Sequence, residues 1–365
     1  MVNELHSTFA KDRKVYKLQM CKSYEIRTMS TTVGNIPEMD SDTMLRPRIC
    51  GESWRRALIV PTSDSEILKH VKCQFIDVLA SIIIGLNMGS IEKVSQDGIK
   101  YDPARAKEAS DTLITHWQKG TTLQELSPHL RPATIAQGYE IQSHIEKLSK
   151  SPLWGWKIAA TSLHGQKHIN VDRPLAGRIL AERVTPYGEK VPLGSNRMGV
   201  AELEFAFRVG RDIEPRLHGI WEMEEVMDAV DGLFLGSEIP DSRYEDFVSV
   251  GAAQLIADDA CADRYMLGPE VKGDWRSVDL PSHAVCGWLK GQEDKVFEGK
   301  GANVLGDPRT AMTWIANELG RYGVTLKKGE FVTTGTCIVP LTVKPGDSVV
   351  LDYGDFGQME IEFTT

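Results

Sequence analysis

The segment GVAELEFAF at 199–207 places two carboxylates, Glu202 and Glu204, two positions apart among large apolar residues. Strand residues alternate faces and rise about 3.3 Å each, so both acids project to one side roughly 7 Å apart, opposite Ala201, Leu203, Phe205 and Phe207. Two readings are open. An amphipathic strand with its acids in water gives this pattern. So does a hard-cation site, because like charges this close repel unless a cation lies between them, and Mg²⁺ or Mn²⁺ takes oxygen ligands. A third acid, Glu238 in GLFLGSEIPDSR, ends an apolar run just before Pro240, where an uncompensated charge is costly. Lys157 in WGWKIAAT sits among Trp154, Trp156, Ile158 and Ala159. It either snorkels to the surface or moves protons with a pKa set by burial, carboxylates and metal.

Other chemistries find less support. His164 and His168 in HGQKH have the spacing of a helical zinc pair, but no third ligand accompanies them and Gly165 weakens the helix. GKGANVLG lacks both the GxGxxG spacing and a GK[ST] ending, so it is no nucleotide loop. There is no GxSxG piece, and Cys261 in DDACAD has no base nearby in sequence.

The elements that must position these residues can be sketched from pattern. YDPARAKEASDTLITHWQKG, with Asp102 and Pro103 opening it and Gly120 closing it, predicts a helix. A second is predicted over TIAQGYEIQSHIEKLSK with Thr134 as cap and Ile141, Ile145 and Leu148 on one side, a third at MEEVMDAV, and a fourth from Asp307 to Gly320. GWKIAAT, VAELEFAFRV, GLFLGSEI, HAVCGWL, EFVTTGTCI, DSVVLDYG and MEIEF read as strands, the last ones separated by turns at KPGD and GDFG. Helices first and strands after favour an α+β domain with a mostly β core over a doubly wound sheet.

The chain has 365 residues, is 41% hydrophobic and carries a formal charge of −9. Dispersed acidity argues against nucleic acid and anionic membranes as partners. Six scattered cysteines without a CxxC pair point to a reducing compartment. Residues 1–100 carry net +2 and the remainder −11. This divides the chain into an N-terminal extension, 1–100, expected to be loose up to about residue 55, and a folded domain, 101–365. Within the extension, 75–89 reads as a buried helix, too short and too interrupted by Asp77 to span a membrane. A cytoplasmic location is expected; the basic Lys11, Arg13, Lys14, Lys17 and Lys22 offer a mitochondrial leader as the alternative, against Glu4, Asp12 and Glu25.

In order along the chain, GWKIAATS, VDRPLAGRIL, VAELEFAFRVGRDI, GSEIPDSR, GKGANVLGDPRTAMTWIANEL, GEFVTTGT and VKPGD resemble the hydratase and decarboxylase branch of the fumarylacetoacetate hydrolase superfamily. The resemblance spans 101–365 and implies a mixed β-rich core with N-terminal helices. It further implies one Mg²⁺ or Mn²⁺ held by Glu202, Glu204 and Glu238, and a small 2-oxo acid, or its 2-hydroxy-dienoate tautomer, chelated through its carboxylate and 2-oxo group. The family lysine falls on Lys157, and contacts to the substrate carboxylate fall on Ser162 and Thr334. The implied activity is that of a lyase, first a hydratase, alternatively a decarboxylase of a vinylogous 2-oxo acid, in a homo-oligomer. One departure matters: Leu175 in RPLAG stands where hydratases often carry a catalytic aspartate. Asp172, Asp258 and Asp259 are candidate replacements, and the same departure leaves room for a non-catalytic scaffold that has kept the fold.

Overall fold

A computed structural model describes residues 102–365. The expectations for residues 1–100, including the helix at 75–89 and the leader, lie outside the described residues.

Two helices precede the β-structure. Helix α1, Pro103–Lys119, begins where the Asp102 carboxylate accepts from the Ala104 amide at 3.0 Å and ends at Gly120 in the left-handed conformation (φ 62°). Helix α2, Ile135–Ser143, is capped by the Thr134 hydroxyl. The periodicity predicted through residue 150 stops early: the chain tightens into a 3₁₀ turn at His144–Leu148, burying Ile145 and exposing Leu148. Pro152 lies just beyond and bars further helix.

The strands are β1 (Gly155–Ala159), β2 (Leu175–Ile179), β3 (Val184–Pro186), β4 (Val191–Pro192), β5 (Val200–Val209), β6 (Val230–Ile239), β7 (Arg264–Glu270), β8 (Ala284–Leu289), β9 (Phe297–Lys300), β10 (Phe331–Thr336), β11 (Leu341–Thr342), β12 (Ser348–Asp352) and β13 (Gln358–Thr364). Helices α3 (Leu163–His168), α4 (Met223–Asp228), α5 (Ala252–Ala257) and α6 (Pro308–Arg321) are placed among them. This is the α+β, β-rich mixed architecture expected, although β2 and β7 carry no clean alternation.

An eight-stranded sheet runs β2-β1-β10-β5-β6-β7-β3, with β11 pairing to β5; β1–β10 and β3–β7 are parallel and its other pairs antiparallel. Its two edges, β2 and β3, are joined by only Leu180–Arg183. Seven flat strands would span about 29 Å, whereas so short a link reaches about 17 Å at most, so the sheet must be rolled until its edges approach. A contact across the roll confirms this: Trp154, just before β1, tilts against Tyr265 of β7 at 5.4 Å.

The outer face of this sheet packs against a five-stranded sheet, β4-β13-β12-β8-β9. Leu203, Phe205 and Phe207 share the main core there with Val349, Leu351, Ile361 and Phe363. The inner face holds a smaller apolar cluster that includes Ile179, Ala206, Phe234 and Tyr265. Both faces of β5 are therefore packed, which removes the reading of Glu204 as a solvent-facing acid and leaves Glu202 only partly exposed. No helix among the described residues is long and apolar enough to cross a membrane.

Candidate metal centre

Register explains how three carboxylates converge. On β5, Glu202 pairs directly with Glu238 of β6, and Glu204 with Gly236. Residues two apart on a strand share a face, so all three acids point inside the roll. One oxygen from each lies within 4.8 Å of the others. Glu204 is 0% exposed and Glu238 2%, while Glu202 is only partly buried and forms the open side.

Lys157 comes from β1, three strands away from β6, and only the curl of the sheet lets it meet Glu238. Its ammonium lies 3.0 Å from Glu238 Oε1 and donates to the Ala260 carbonyl at 2.8 Å. At 3% exposure it does not snorkel to the surface. Burial works to lower its pKa, but Glu238 and Glu202 outweigh that and hold it charged above the usual lysine range.

One lysine cannot balance three buried acids. Burial pushes the Glu238 carboxyl up to about 7 despite Lys157. Burial, then Glu238 and Glu202, push Glu204 well above the usual carboxylate range, and burial raises Glu202 against the pull of Lys157. Glu204 Oε2 accepts from the Gly335 amide at 3.2 Å, but its Oε1 is buried with no hydrogen-bond partner. An orphaned carboxylate oxygen within a set of hard oxygen donors fits a small divalent cation. Gly335 is required for this: its φ is +100°, and a Cβ there would lie 2.1 Å from Thr161 Oγ1.

The hydroxyls assigned to a substrate carboxylate fare differently. Ser162 caps α3 by accepting from the Gly165 amide at 3.0 Å, which leaves its own proton available at the open end of β1. Thr334 has no such proton: its hydroxyl, fully buried, donates to the Phe205 carbonyl at 3.1 Å. Thr334 is thus spent on backbone and cannot also donate to a carboxylate. The hydroxyl on the carboxylate face is that of Thr333, the register partner of Ala206; it is buried facing Glu204 and works to lower that carboxyl's pKa. TTGT gave no way to choose between neighbours, since a register shift follows Thr333.

Leu175 is 1% exposed and opens β2 opposite Ala159, an apolar core residue. Of its candidate replacements, Asp172 is exposed and paired with Arg173 at 2.8 Å. Asp258 is saturated: it accepts from the Ser242 hydroxyl at 2.7 Å and from the Arg243 amide at 3.0 Å, and it pairs with the Arg243 guanidinium. Asp259 remains. It is wholly buried, and Oδ1 accepts from the Arg178 amide at 2.6 Å while Oδ2 has no partner. Burial pushes its carboxyl up to about 7. Asp259, Ala260 and Cys261 all adopt positive φ (56°, 50° and 64°), a conformation that costs a non-glycine residue of order 1 kcal/mol or more. The strained turn aims the Ala260 carbonyl at Lys157. It fits because position 177 is glycine: a Cβ there would lie 2.3 Å from the Asp259 carbonyl and 3.0 Å from Lys157 Cδ. His164 and His168 lie exposed on α3, away from any third ligand among the described residues.

Residues 174–364 match the family profile described as fumarylacetoacetate (FAA) hydrolase, C-terminal. The chain is also 30% identical over 267 residues to a 2-keto-4-pentenoate hydratase of Paraburkholderia xenovorans (strain LB400), covering 72% of this chain and 96% of that one. The chain belongs to the fumarylacetoacetate hydrolase family. Within this family its similarity runs to the hydratase and decarboxylase branch: a 4-oxalocrotonate decarboxylase of Pseudomonas putida is 28% identical over 234 residues, covering 63% of this chain and 86% of that one. The solved 4-oxalocrotonate decarboxylase from Pseudomonas putida G7, complexed with magnesium and adipate, superposes with a TM-score of 0.64 at 23% identity, over 71% of this chain and 97% of that one. That likeness carries the family fold across the β-rich region.

Proposed function

We propose that this protein is a divalent-metal-dependent lyase acting on a small 2-oxo acid or its 2-hydroxy-dienoate tautomer, first as a hydratase. The observation that carries the reading is the convergence of Glu202 with the buried Glu204 and Glu238, under-compensated by Lys157 and with one oxygen orphaned. These three carboxylates would hold Mg²⁺ or Mn²⁺. Bound there, such an ion supplies Lewis-acid stabilisation of enolate charge on a chelated 2-oxo acid. Lys157 holds a proton at Nζ, fixed between Glu238 and Ala260, and is placed to deliver it to substrate carbon or to orient water. Ser162 offers a hydroxyl proton to the substrate carboxylate at the open side. Curling of the sheet excludes bulk water from all but the Glu202 edge.

Similarity over nearly the full length of a 2-keto-4-pentenoate hydratase supports water addition. A second reading, loss of carbon dioxide from a vinylogous 2-oxo acid, is favoured by the apolar Leu175, since decarboxylation needs an electron sink and a proton donor more than a base for water. Incubation with 2-hydroxypenta-2,4-dienoate and with a vinylogous 2-oxo diacid, each with Mg²⁺ or Mn²⁺, separates the two by product mass. Turnover of neither acid, with Mn²⁺ binding unaltered in Glu204→Ala, would sink the lyase reading. A scaffold would bind neither Mn²⁺ nor oxalate in a calorimeter. Further copies of the chain are the expected partner, which sedimentation would count.

A further inference from the structure

Tyr265 is a group whose cost the fold alone does not explain. Its side chain is 0% exposed, yet its hydroxyl has no hydrogen-bond partner. A buried hydroxyl left unpaired costs about 1–3 kcal/mol, and phenylalanine would fill the same space without that penalty. The contrast with Tyr353 is instructive. Reaching the same strand, Tyr353 donates to the Gly236 carbonyl at 2.6 Å and accepts from the Gly236 amide at 3.3 Å, so its hydroxyl is fully used by the backbone.

Position fixes what Tyr265 faces. On β7 it pairs with Glu238 and so shares the carboxylate face. Its ring extends over Gly236, where a Cβ would lie 1.8 Å from the phenolic oxygen. That oxygen thus takes the place a side chain at 236 would occupy. Residue 236 is the register partner of Glu204, and directly opposed residues have Cβ atoms about 4.5–5.5 Å apart, a gap that the length of a glutamate side chain closes. On this one face lie two donors and one acceptor with capacity to spare: the Thr333 hydroxyl, which already favours the Glu204 carboxylate, the Tyr265 hydroxyl, which has no partner, and Glu204 Oε1, which can only accept and has two lone pairs.

We infer that Tyr265 is a positioning residue for Glu204, its hydroxyl donating to the Glu204 carboxylate in the loaded centre and fixing that ligand's orientation. The inference rests on Glu204 being a metal ligand. Groups that orient a ligand from outside commonly change metal affinity by about 10–100-fold.

The test is Tyr265→Phe in the full chain, titrated with Mn²⁺ by calorimetry, alongside the unfolding temperature of the metal-free protein. The expected result is Mn²⁺ binding weakened about tenfold or more, with metal-free unfolding unchanged or raised. Affinity within about twofold of the parent overturns the inference, because the outer-partner effect would be absent. If Tyr265→Phe also lowers the unfolding temperature, Gly236→Ala decides, since it keeps the phenol and displaces its oxygen: lost affinity supports the role and retained affinity overturns it. A parent that binds no Mn²⁺ overturns the metal centre itself, and this inference with it. A parent that binds, with variants that bind equally, overturns only the part given to Tyr265.

Discussion

Two clusters of buried charge lie close together and are built in opposite ways. Around Arg243 the charged pair itself is satisfied: Asp258 pairs with the guanidinium, which also donates to the Asp241 carbonyl at 3.1 Å and the Ala262 carbonyl at 2.8 Å and lies 4.8 Å from the Trp117 ring. Around Glu202, Glu204 and Glu238, three acids face one lysine and an oxygen is left bare. Both clusters are costly to bury. The Arg243–Asp258 pair is compensated by its own hydrogen bonds; the acid triad is not compensated by the groups around it, and the proposed cation would offset that cost. An excess of negative charge over its partners, rather than the number of charges, sets the candidate metal centre apart from the Arg243 cluster.

Removing a member should therefore have opposite consequences in the two places. Arg243→Ala strands Asp258 in the interior and is expected to destabilise the protein by about 3–5 kcal/mol in denaturant titrations. Glu204→Gln should weaken Mn²⁺ binding by about 100-fold or more, yet leave the chelator-treated protein at least as stable as the parent near neutral pH, because burial and its two acidic neighbours oppose its charge. A large stability loss in that variant would place the triad with the structural clusters. Asp259→Asn probes the boundary between them. Its carboxyl titrates near 7 in the fold against about 4 in an unfolded chain, so the folded state favours the protonated form, and stability is lost as pH rises from about 4 to about 7. The asparagine variant should match the parent near pH 4 and gain on it by up to about 1.4 kcal/mol per pH unit until about pH 7, read from unfolding midpoints. At the small end, Lys107→Ala breaks an exposed i,i+4 pair with Asp111 and should cost under about 0.5 kcal/mol.

The triad was legible because alternation on one strand and an acid ending another are local signals. Lys157 was suspect for the same reason, a charge inside an apolar run. What escaped the sequence was set by pairing across strands. Tyr265 lies on β7, where Gly268 and Pro269 and an acid-rich approach hide the alternation. Thr333 and Thr334 differ only in facing, which a register shift settles. The Ala260 carbonyl depends on three consecutive left-handed residues, none of them the glycine that normally announces such a turn. Among helices, the caps at Asp102, Thr134 and Asp307 could be read directly, whereas the tightening after Ser143 could not.

The sheet order has a bearing on synthesis. β10 lies between β1 and β5, so the strand carrying Lys157 and the strand carrying Glu202 and Glu204 are neighbours only through a segment that begins at Phe331. A nascent chain that has emerged only as far as α6 can already pair β5 with β6, which gathers the three acids, but it lacks the strand that joins β1 and its Lys157 to them. Such non-local pairing is slow, because a long loop must close before any contact is gained. Docking of Lys157 against Glu238 is thus a late step of folding, completed only after the acids have met and β10 has closed the gap between β1 and β5.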